Sequence, residues 1–219
     1  MSGEGSDEPS GIDRSSVRAT YDRIAPHFAA KRKNPWPEVE SFLAGRRVET
    51  AVDVGCANGR HTELLAEIAQ RAIGIDVSRE LLIEARSRQS SHGFAASVLL
   101  GDAVKLPVTS DAIDLALYVA TMHHLATRTA RVASLDELAR ILRDGGTALL
   151  SVWSTAHDRF EETSGFDTTV TFTLPDGSSV PRFYHIYDRE EFEAELTDSA
   201  LSVDRVWVSH GNCYAVVGS

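Results

Sequence analysis

Apolar residues along the chain follow two different spacings, and the alternation of these spacings predicts an α/β protein. Short apolar runs, which are typical of buried strands, occupy residues 51–55, 72–76, 97–100, 113–120 and 148–152. Between these runs, apolar residues recur every three or four positions, as they do on one face of a helix. Buried strands that alternate regularly with helices predict a mostly parallel sheet with helices on both faces.

Caps and breakers in the sequence mark where helices begin and end. The first helix precedes the first strand, and Ser15 or Ser16 is expected to be its N-cap. A second helix is predicted to begin at the cap-and-proline segment 34–37. Ser78 is the expected N-cap of the helix after the second strand. The two glycines at 145–146 predict the end of the helix after the fourth strand.

The alternation stops after Trp153. Residues 155–182 are polar, and the turn at 175–177 predicts a hairpin or lid over 155–187, inserted late in the fold. Two extended runs near the end, 202–209 and 212–217, predict an antiparallel closing hairpin.

The composition is that of an ordinary globular protein, with 219 residues, 42% hydrophobic and 25% charged. We expect a single domain over residues 14–219, with helices at 14–45 over the active site. Residues 1–13 are almost without apolar side chains, and we expect them to be disordered. No apolar run is long enough for a membrane span, and no secretory signal is visible. Two cysteines make neither a disulfide framework nor a zinc site, so we expect no metal and a cytoplasmic setting.

Three acidic residues, Asp53, Asp76 and Asp102, end successive predicted strands. The carboxyl ends of parallel strands meet at one edge of the sheet, where ligands bind. A carboxylate there accepts hydrogen bonds from ribose hydroxyls, from an adenine amino group or from an ammonium group. A sulfonium nucleoside with an amino-acid tail has all three groups. The alternative is that each aspartate only caps a helix or turn.

The loop after the first strand does not match the dinucleotide fingerprint G-x-G-x-x-G. Ala57 and Thr62 stand at the second and third glycine positions, so a nicotinamide cofactor is not indicated.

Five segments resemble the class I S-adenosylmethionine-dependent methyltransferases in order and spacing: 53–59, 74–78, 101–107, 113–125 and 142–153. The resemblance covers residues 50–153, with Ala57 in place of the family's central loop glycine. It implies S-adenosylmethionine as cofactor and a Rossmann-like fold, a seven-stranded, mostly parallel sheet with a C-terminal antiparallel hairpin. The cofactor-binding residues expected on this basis are Tyr21, Asp53, Gly55, Cys56, Asn58, Gly59, Asp76, Val77, Asp102, Ala103 and Ala120.

The segments outside this core resemble the wobble-uridine tRNA carboxymethyl methyltransferases, at residues 17–28, 35–37, 122–128, 182–185 and 211–214. That family esterifies the carboxylate of 5-carboxymethyluridine in the tRNA anticodon loop. The resemblance also implies a small zinc-binding activator protein as partner. Ser97–Leu100 would be an exposed sheet edge in this fold order, and strand addition by the activator would cover it. A helix of the same chain would cover it equally well.

The expected acceptor determines which types of catalytic residue the site needs. A carboxylate is ionised at neutral pH and needs no general base, so the site needs cations and hydrogen-bond donors. The candidates of these types are Arg32, His123, His124, Arg182, Tyr184 and His185. Alternatives stay open: the histidines as buried core residues, Arg182 and Tyr184 as anchors of the hairpin, Tyr21 as core and Trp36 as a helix staple.

Two other functions fit the same sequence. The first is a small-molecule O- or C-methyltransferase with His124 as general base. The second is a non-catalytic cofactor-binding scaffold. The net charge of −10 argues against a nucleic-acid partner, but it is unevenly distributed. Residues 14–60 contain nine Lys or Arg against five Asp or Glu, so the segment expected at the active-site mouth is basic.

Overall fold

A computed structural model describes residues 14–219, in which six α-helices and nine strands are found. The expected tail at 1–13 lies outside the described residues. The helices are α1 Arg14–Lys31, α2 Pro37–Leu43, α3 Arg60–Ile68, α4 Arg79–His92, α5 Arg128–Ile141 and α6 Arg189–Thr197. The strands are β1 Val48–Val54, β2 Ala69–Asp76, β3 Ser97–Leu100, β4 Ile113–Val119, β5 Leu142–Trp153, β6 Phe166–Thr173, β7 Ser179–Ile186, β8 Ser202–Ser209 and β9 Asn212–Gly218.

Seven strands form one sheet in the order β3-β2-β1-β4-β5-β9-β8. The first five are parallel to one another, while β9 is antiparallel to both β5 and β8. This is the predicted Rossmann-like fold with its closing hairpin, and both are confirmed. Every residue of β4 is buried, since it lies at the centre of the sheet with apolar side chains facing helices on both sides.

The predicted proline start of α2 and the predicted cap of α4 are found, whereas no side chain caps α2, whose N-cap position is Trp36. Pro37 opens α2, and the Ser78 hydroxyl accepts a hydrogen bond from the backbone N–H of Leu81 at 3.2 Å. The N-cap predicted for the first helix is wrong, because α1 begins at Arg14 and both Ser15 and Ser16 lie inside its first turn.

The predicted end of the fifth helix at residues 145–146 is also wrong. Helix α5 ends at Ile141, and the glycine pair lies within β5. Leu142 already pairs with Ile113 on β4, so the chain joins the sheet three residues before the first of the two glycines. A Cβ at Gly146 would lie 2.8 Å from the carbonyl oxygen of Ile113, which shows how closely the two backbones approach there.

The late hairpin predicted from the turn at 175–177 is confirmed as β6 and β7, a two-stranded sheet separate from the main one. Phe172 and Val180 of this hairpin pack with Tyr21 and Ile24 of α1 in one buried cluster. The hairpin and α1 therefore lie together over the sheet.

The base of the hairpin is joined to α5 and α6 by a buried polar network. The Arg131 guanidinium contacts the Glu195 carboxylate at 2.6 Å, and the Tyr187 hydroxyl donates to the same carboxylate at 2.9 Å. Glu195 is completely buried, so its charge is balanced inside the protein by Arg131. No helix within residues 14–219 is long and apolar enough to cross a membrane.

Candidate active site

A cleft of about 780 Å³ opens at the carboxyl edge of the sheet. Its floor comes from the ends of β1, β2 and β4, and its roof comes from Val17, Tyr21 and Phe28 of α1. Seven of the predicted cofactor-binding residues line it: Tyr21, Gly55, Asp76, Val77, Asp102, Ala103 and Ala120.

Asp76 is held in place by the backbone around the cleft. Its Oδ2 accepts a hydrogen bond from the N–H of Ala57 at 2.9 Å, and its Oδ1 accepts from the N–H of Ser78 at 2.8 Å. Burial raises the pKa of Asp76 to about 6, although these hydrogen bonds oppose the shift. Each carboxylate oxygen has a second lone pair, so the group can still accept from ligand hydroxyls.

The turns of the cleft floor adopt left-handed backbone conformations. Gly55 has φ +76°, and a Cβ there would lie 2.0 Å from Oγ1 of Thr121. Ala57, at the position of the resembled family's central glycine, has φ +49°, and Ala120 has φ +52°. Such values are uncommon for residues other than glycine and concentrate at functional sites.

Four predicted cofactor-binding residues are not among those that line this cleft: Asp53, Cys56, Asn58 and Gly59. The buried Asp53 carboxylate accepts from the Thr62 hydroxyl at 2.7 Å, and burial raises its pKa to about 6. The Cys56 thiol faces the position where a Cβ at Gly74 would be, 3.0 Å away. Burial raises the pKa of this thiol well above its ordinary value.

Asn58 connects the loop after β1 to the end of α1. Its Nδ2 donates to the carbonyl oxygen of Arg32 at 2.9 Å, while its buried Oδ1 has no hydrogen-bond partner. Asp53, Cys56 and Asn58 therefore fix the shape of the loop through their side chains.

A second cavity of about 630 Å³ adjoins the cleft. The two share Val17, Tyr21 and His124, and the second cavity is closed by the β7 residues Pro181, Arg182 and Phe183. We call it the acceptor cavity.

His124 lies in the wall between the two spaces. Its Nδ1 donates to the carbonyl oxygen of Phe183 at 2.9 Å, because a carbonyl only accepts. In the neutral ring Nε2 is then an acceptor, and the Tyr21 hydroxyl donates to it at 2.8 Å. Burial lowers the pKa of His124 to about 4, so the ring is neutral at pH 7. Of the two adjacent histidines, His124 is the one that faces the cavities.

Arg182 brings a buried positive charge to the acceptor cavity. Its side chain is only 6% exposed, and its guanidinium lies over the rings of Phe172 and Tyr184, at 5.5 and 5.3 Å. Its Nε has no hydrogen-bond partner. No carboxylate among residues 15–219 forms an ion pair with it. A buried charge without a partner is costly, so this arginine is suited to an anionic ligand.

The structure places three other catalytic candidates differently. The Nδ1 of buried His123 accepts from the backbone N–H of Trp153 at 3.1 Å, and its ring packs on Tyr184, as in a core histidine. Arg32 is exposed, with its guanidinium 5.7 Å from the centre of the Phe28 ring at the rim of the cleft. Tyr184 lies behind the cavity wall, stacked on Trp153 at 4.7 Å.

His185 is separated from Arg182 by the geometry of β7. Side chains alternate between the two faces of a strand, so positions 182 and 184 share one face and position 185 lies on the other. Its Nδ1 contacts Asp167 at 2.7 Å and its Nε2 contacts Glu191 at 2.9 Å. The structure therefore places His185 outside the lining of the acceptor cavity, with both its ring nitrogens bound at the base of the hairpin.

Comparison with known proteins supplies the family. Residues 52–150 match the family described as a methyltransferase domain. The chain is 32% identical over 205 residues to a putative methyltransferase of Encephalitozoon cuniculi, covering 90% of this chain and 92% of that protein. The chain belongs to the S-adenosylmethionine-dependent methyltransferases. S-Adenosylmethionine is accordingly its cofactor.

Other relatives of this methyltransferase have more specific names. It is 38% identical over 152 residues to a tRNA (carboxymethyluridine(34)-5-O)-methyltransferase of Macaca fascicularis, covering 69% of this chain but 22% of the relative. It is 33% identical over 171 residues to the protein of the same name in Saccharomyces cerevisiae, covering 76% and 59%. The methyltransferase thus spans only about a fifth of the first of these relatives.

Solved structures agree on the fold of the methyltransferase. A complex of the Haloferax volcanii Trm112 methyltransferase activator with a putative methyltransferase matches with a TM-score of 0.69 and 20% identity, covering 92% of this chain and 96% of that one. A DhpI-SAM-HEP complex matches with a TM-score of 0.70 and 20% identity, covering 95% and 100%.

The cleft of the methyltransferase suits the cofactor chemically. Asp76 at the end of β2 and Asp102 after β3 would provide acceptors for ribose hydroxyls and an adenine amino group. Gly55 would let the backbone approach the cofactor, and Ile75 and Leu81 would offer apolar contact.

Sequence reasoning missed several residues that line the two cavities. Val17 and Phe28 share the helix face of Tyr21, so their helical spacing was a usable signal. Thr121, next to Ala120, also lines the cleft. Phe183 contributes its backbone carbonyl to His124, for which a sequence has no signal. Trp36 packs edge-on against His61 and Tyr214, which supports its role as a packing residue.

Proposed function

We propose that this methyltransferase esterifies the carboxylate of 5-carboxymethyluridine at the wobble position of tRNA. The observation that supports it is the buried guanidinium of Arg182, which lines the acceptor cavity and forms no ion pair with a carboxylate among residues 15–219. The names of the relatives from Macaca fascicularis and Saccharomyces cerevisiae point to the same acceptor. An anticodon base is unpaired, so placing it in such a cavity costs less than unstacking a duplex base.

The roles of the residues follow from the chemistry of the acceptor. When bound, S-adenosylmethionine supplies an electrophilic sulfonium methyl group. Arg182 would hold the substrate carboxylate by paired hydrogen bonds and leave a lone pair free to react. Tyr21 and His124 would shape the passage between the cavities and exclude water. In this proposal residues 14–219 act as one methyltransferase domain, in which 14–45 and the late hairpin enclose the acceptor.

The protonation of His124 counts against the small-molecule alternative that uses it as a general base. Its pKa of about 4 makes it a weak base at neutral pH, and both its ring nitrogens already have partners. A carboxylate acceptor does not need this base, because it is already ionised.

The test is transfer of a labelled methyl group from the cofactor to tRNA that contains carboxymethyluridine. We expect incorporation that mild alkali releases, because the product is an ester. Arg182→Met should lose at least a hundredfold in rate, and Arg182→Lys should recover part of it. Arg79→Met, at an exposed arginine at the start of α4, is the matched control. Alkali-stable label would point to N- or C-methylation. Cofactor binding without transfer to any acceptor would favour the non-catalytic scaffold.

We further propose that a small zinc-binding activator protein adds to the edge strand β3. This strand is the first of the sheet order, and Leu99 and Leu100 are 37% and 51% exposed. Ile83 on α4 is also exposed, at 46%. A structural neighbour of the chain is a complex with the Trm112 activator. The activator as partner and the cytoplasmic setting both stay predictions.

The two edges of the sheet provide a matched pair of variants for the activator. Leu100→Asp places a charge on β3 and should abolish co-purification with the activator. Val203→Asp places the same charge on β8 at the opposite edge, where Val203 is 42% exposed, and should not affect it. Equal co-purification of both variants would exclude β3 as the docking edge.

A further inference from the structure

A third depression lies outside both cavities, between the end of α1 and the helices α3 and α4. It encloses about 1210 Å³ and is open to solvent. We call it the basic groove. Its charged lining residues are Lys33, Arg60, Glu63, Glu84, Arg88 and His92.

The charges in the basic groove are only partly balanced within the protein. Glu63 contacts Arg88 at 2.6 Å and His92 at 2.9 Å, so it is already engaged by two groups. Lys33 and Arg60 form no ion pair with a carboxylate among residues 15–219. Because Glu63 is engaged, Glu84 on α4 is the remaining carboxylate among the residues that line the groove. The positive charges of Lys33 and Arg60 therefore exceed the negative charge left to balance them.

Arg60 is held in place without an ion pair to a carboxylate of the described residues, although the charge of the buried Asp53 acts on it from a greater distance. Its guanidinium donates to the carbonyl oxygen of Asn34 at 3.4 Å and lies 5.6 Å from the centre of the Trp36 ring. Burial and the positive charges of Arg32 and Arg88 lower the pKa of Arg60 to about 10, so it stays a cation at neutral pH. A planar guanidinium fixed in this way is well suited to a phosphate group.

Three successive cations at the end of α1 lie between the hairpin beside the acceptor cavity and the groove. Lys31 lies over the Phe172 ring, 4.5 Å from its centre, and the same ring lies beneath Arg182. Arg32 follows over Phe28 at the rim of the cleft, and Lys33 lines the groove.

We infer that the basic groove binds the phosphodiester backbone of the acceptor RNA, on the side of α1 away from the reacting base. Phosphate contacts position a nucleic acid without reading its sequence, which suits a groove that offers Lys33 and Arg60 as cations and in which Glu63 is already paired. The inference rests on the proposed RNA acceptor but assigns a different set of residues. Its predictions concern RNA affinity and not the methyl-transfer step.

The test is binding of a fluorescent anticodon stem-loop RNA to the full chain, measured by anisotropy over a series of salt concentrations. Lys33→Gln with Arg60→Gln should weaken binding about tenfold or more and reduce the slope of log affinity against log salt by about 2. Lys33→Gln alone changes an exposed side chain, and it should reduce the slope by about 1. Cofactor affinity should be unchanged in both variants.

Arg47→Gln is the matched control, because Arg47 is an exposed arginine before the amino end of β1, outside the groove. It should leave the RNA affinity and the slope unchanged. If the groove variants bind RNA like the wild type while ester formation on tRNA persists, the groove inference fails and the proposed function stands. If the wild type binds no RNA, the groove inference also fails, and the alkali test of the methylated product decides the function separately.

Discussion

The Tyr21 hydroxyl donates a 2.8 Å hydrogen bond to Nε2 of His124, a residue 103 positions away in the chain. The other nitrogen of the same ring donates to the carbonyl oxygen of Phe183 on β7. One imidazole therefore joins α1, the turn after β4 and the late hairpin. It stands at the wall shared by the cofactor cleft and the acceptor cavity.

Removing the Tyr21 hydroxyl tests this junction. Tyr21→Phe leaves Nε2 of the buried His124 without a donor, and we expect the free energy of unfolding to fall by about 1–3 kcal/mol. The measurement is urea denaturation of a double-mutant cycle of Tyr21→Phe and His124→Phe. The two losses should not add, because the second change removes the acceptor that the first leaves unsatisfied. Additive losses would show that the hydrogen bond contributes no coupling.

Substitution of two glycines with similar backbone angles distinguishes the effect of backbone strain from that of a steric collision at the cleft. Gly55 has φ +76° and Gly45 has φ +73°, but a Cβ at Gly45 would meet nothing within 4 Å. Gly45→Ala should cost about 1–2 kcal/mol of stability and leave cofactor binding intact. Gly55→Ala should cost more and weaken cofactor binding at least tenfold, because its Cβ collides with Thr121. Calorimetric titration of the cofactor compares the two, and equal affinities would contradict the role of Gly55.

The raised pKa of Asp76 predicts opposite pH dependences for stability and cofactor binding. Its pKa is about 6 in the fold against an ordinary value of 3.8, so the protonated form favours the folded state. The contribution of this group to the free energy of unfolding should decrease as pH rises from about 4 to 6. Cofactor affinity should increase over the same interval, because the carboxylate is the better acceptor for hydroxyl groups.

Comparison of two variants identifies the group responsible for this pH dependence. Asp76→Asn should bind the cofactor weakly and with little change between pH 5 and 7. Asp53 also has a raised pKa of about 6 but does not line the cleft, so Asp53→Asn should retain the pH dependence of the wild type. If the pH dependence of cofactor affinity disappears in Asp53→Asn but persists in Asp76→Asn, the titrating group is the Asp53 carboxyl and not the Asp76 carboxyl.

The buried pair at the base of the hairpin should make a large contribution to stability. Glu195→Gln leaves Arg131 without its full counter-charge in the interior, and we expect a loss of about 3–5 kcal/mol. Glu193→Gln is the control on the same helix, since its pair with Arg189 is exposed and should cost less than about 0.5 kcal/mol. Urea denaturation measures both. Similar losses for the two variants would contradict the role given to the buried pair.

The strand-end acids show how much of the site a sequence can predict. Asp76 and Asp102 line the cleft as expected, because an acid directly after a buried parallel strand is placed at the carboxyl edge by the topology. Asp53 also lies near this edge of the sheet, but its carboxylate accepts a hydrogen bond from Thr62 on α3. Strand position places the residue, and local packing then decides where its side chain points.

The hairpin residues show where sequence reasoning stopped. The turn at 175–177 predicts the hairpin, but the candidates Arg182 and His185 rest on the resemblance of segment 182–185 and on their residue types. Strand alternation alone would have separated them onto opposite faces. The partners of His185, at Asp167 and Glu191, depend on long-range packing of β6 and α6, which no local pattern contains.

The absence of a carboxylate partner for Arg182 among residues 15–219 has a consequence for turnover under the proposed esterification. The substrate arrives as an anion and neutralises the buried guanidinium, whereas the methyl ester is neutral. After transfer the arginine is left facing an uncharged ligand, which is unfavourable in a buried site. The enzyme would thus release its product readily and discriminate against RNA that is already methylated.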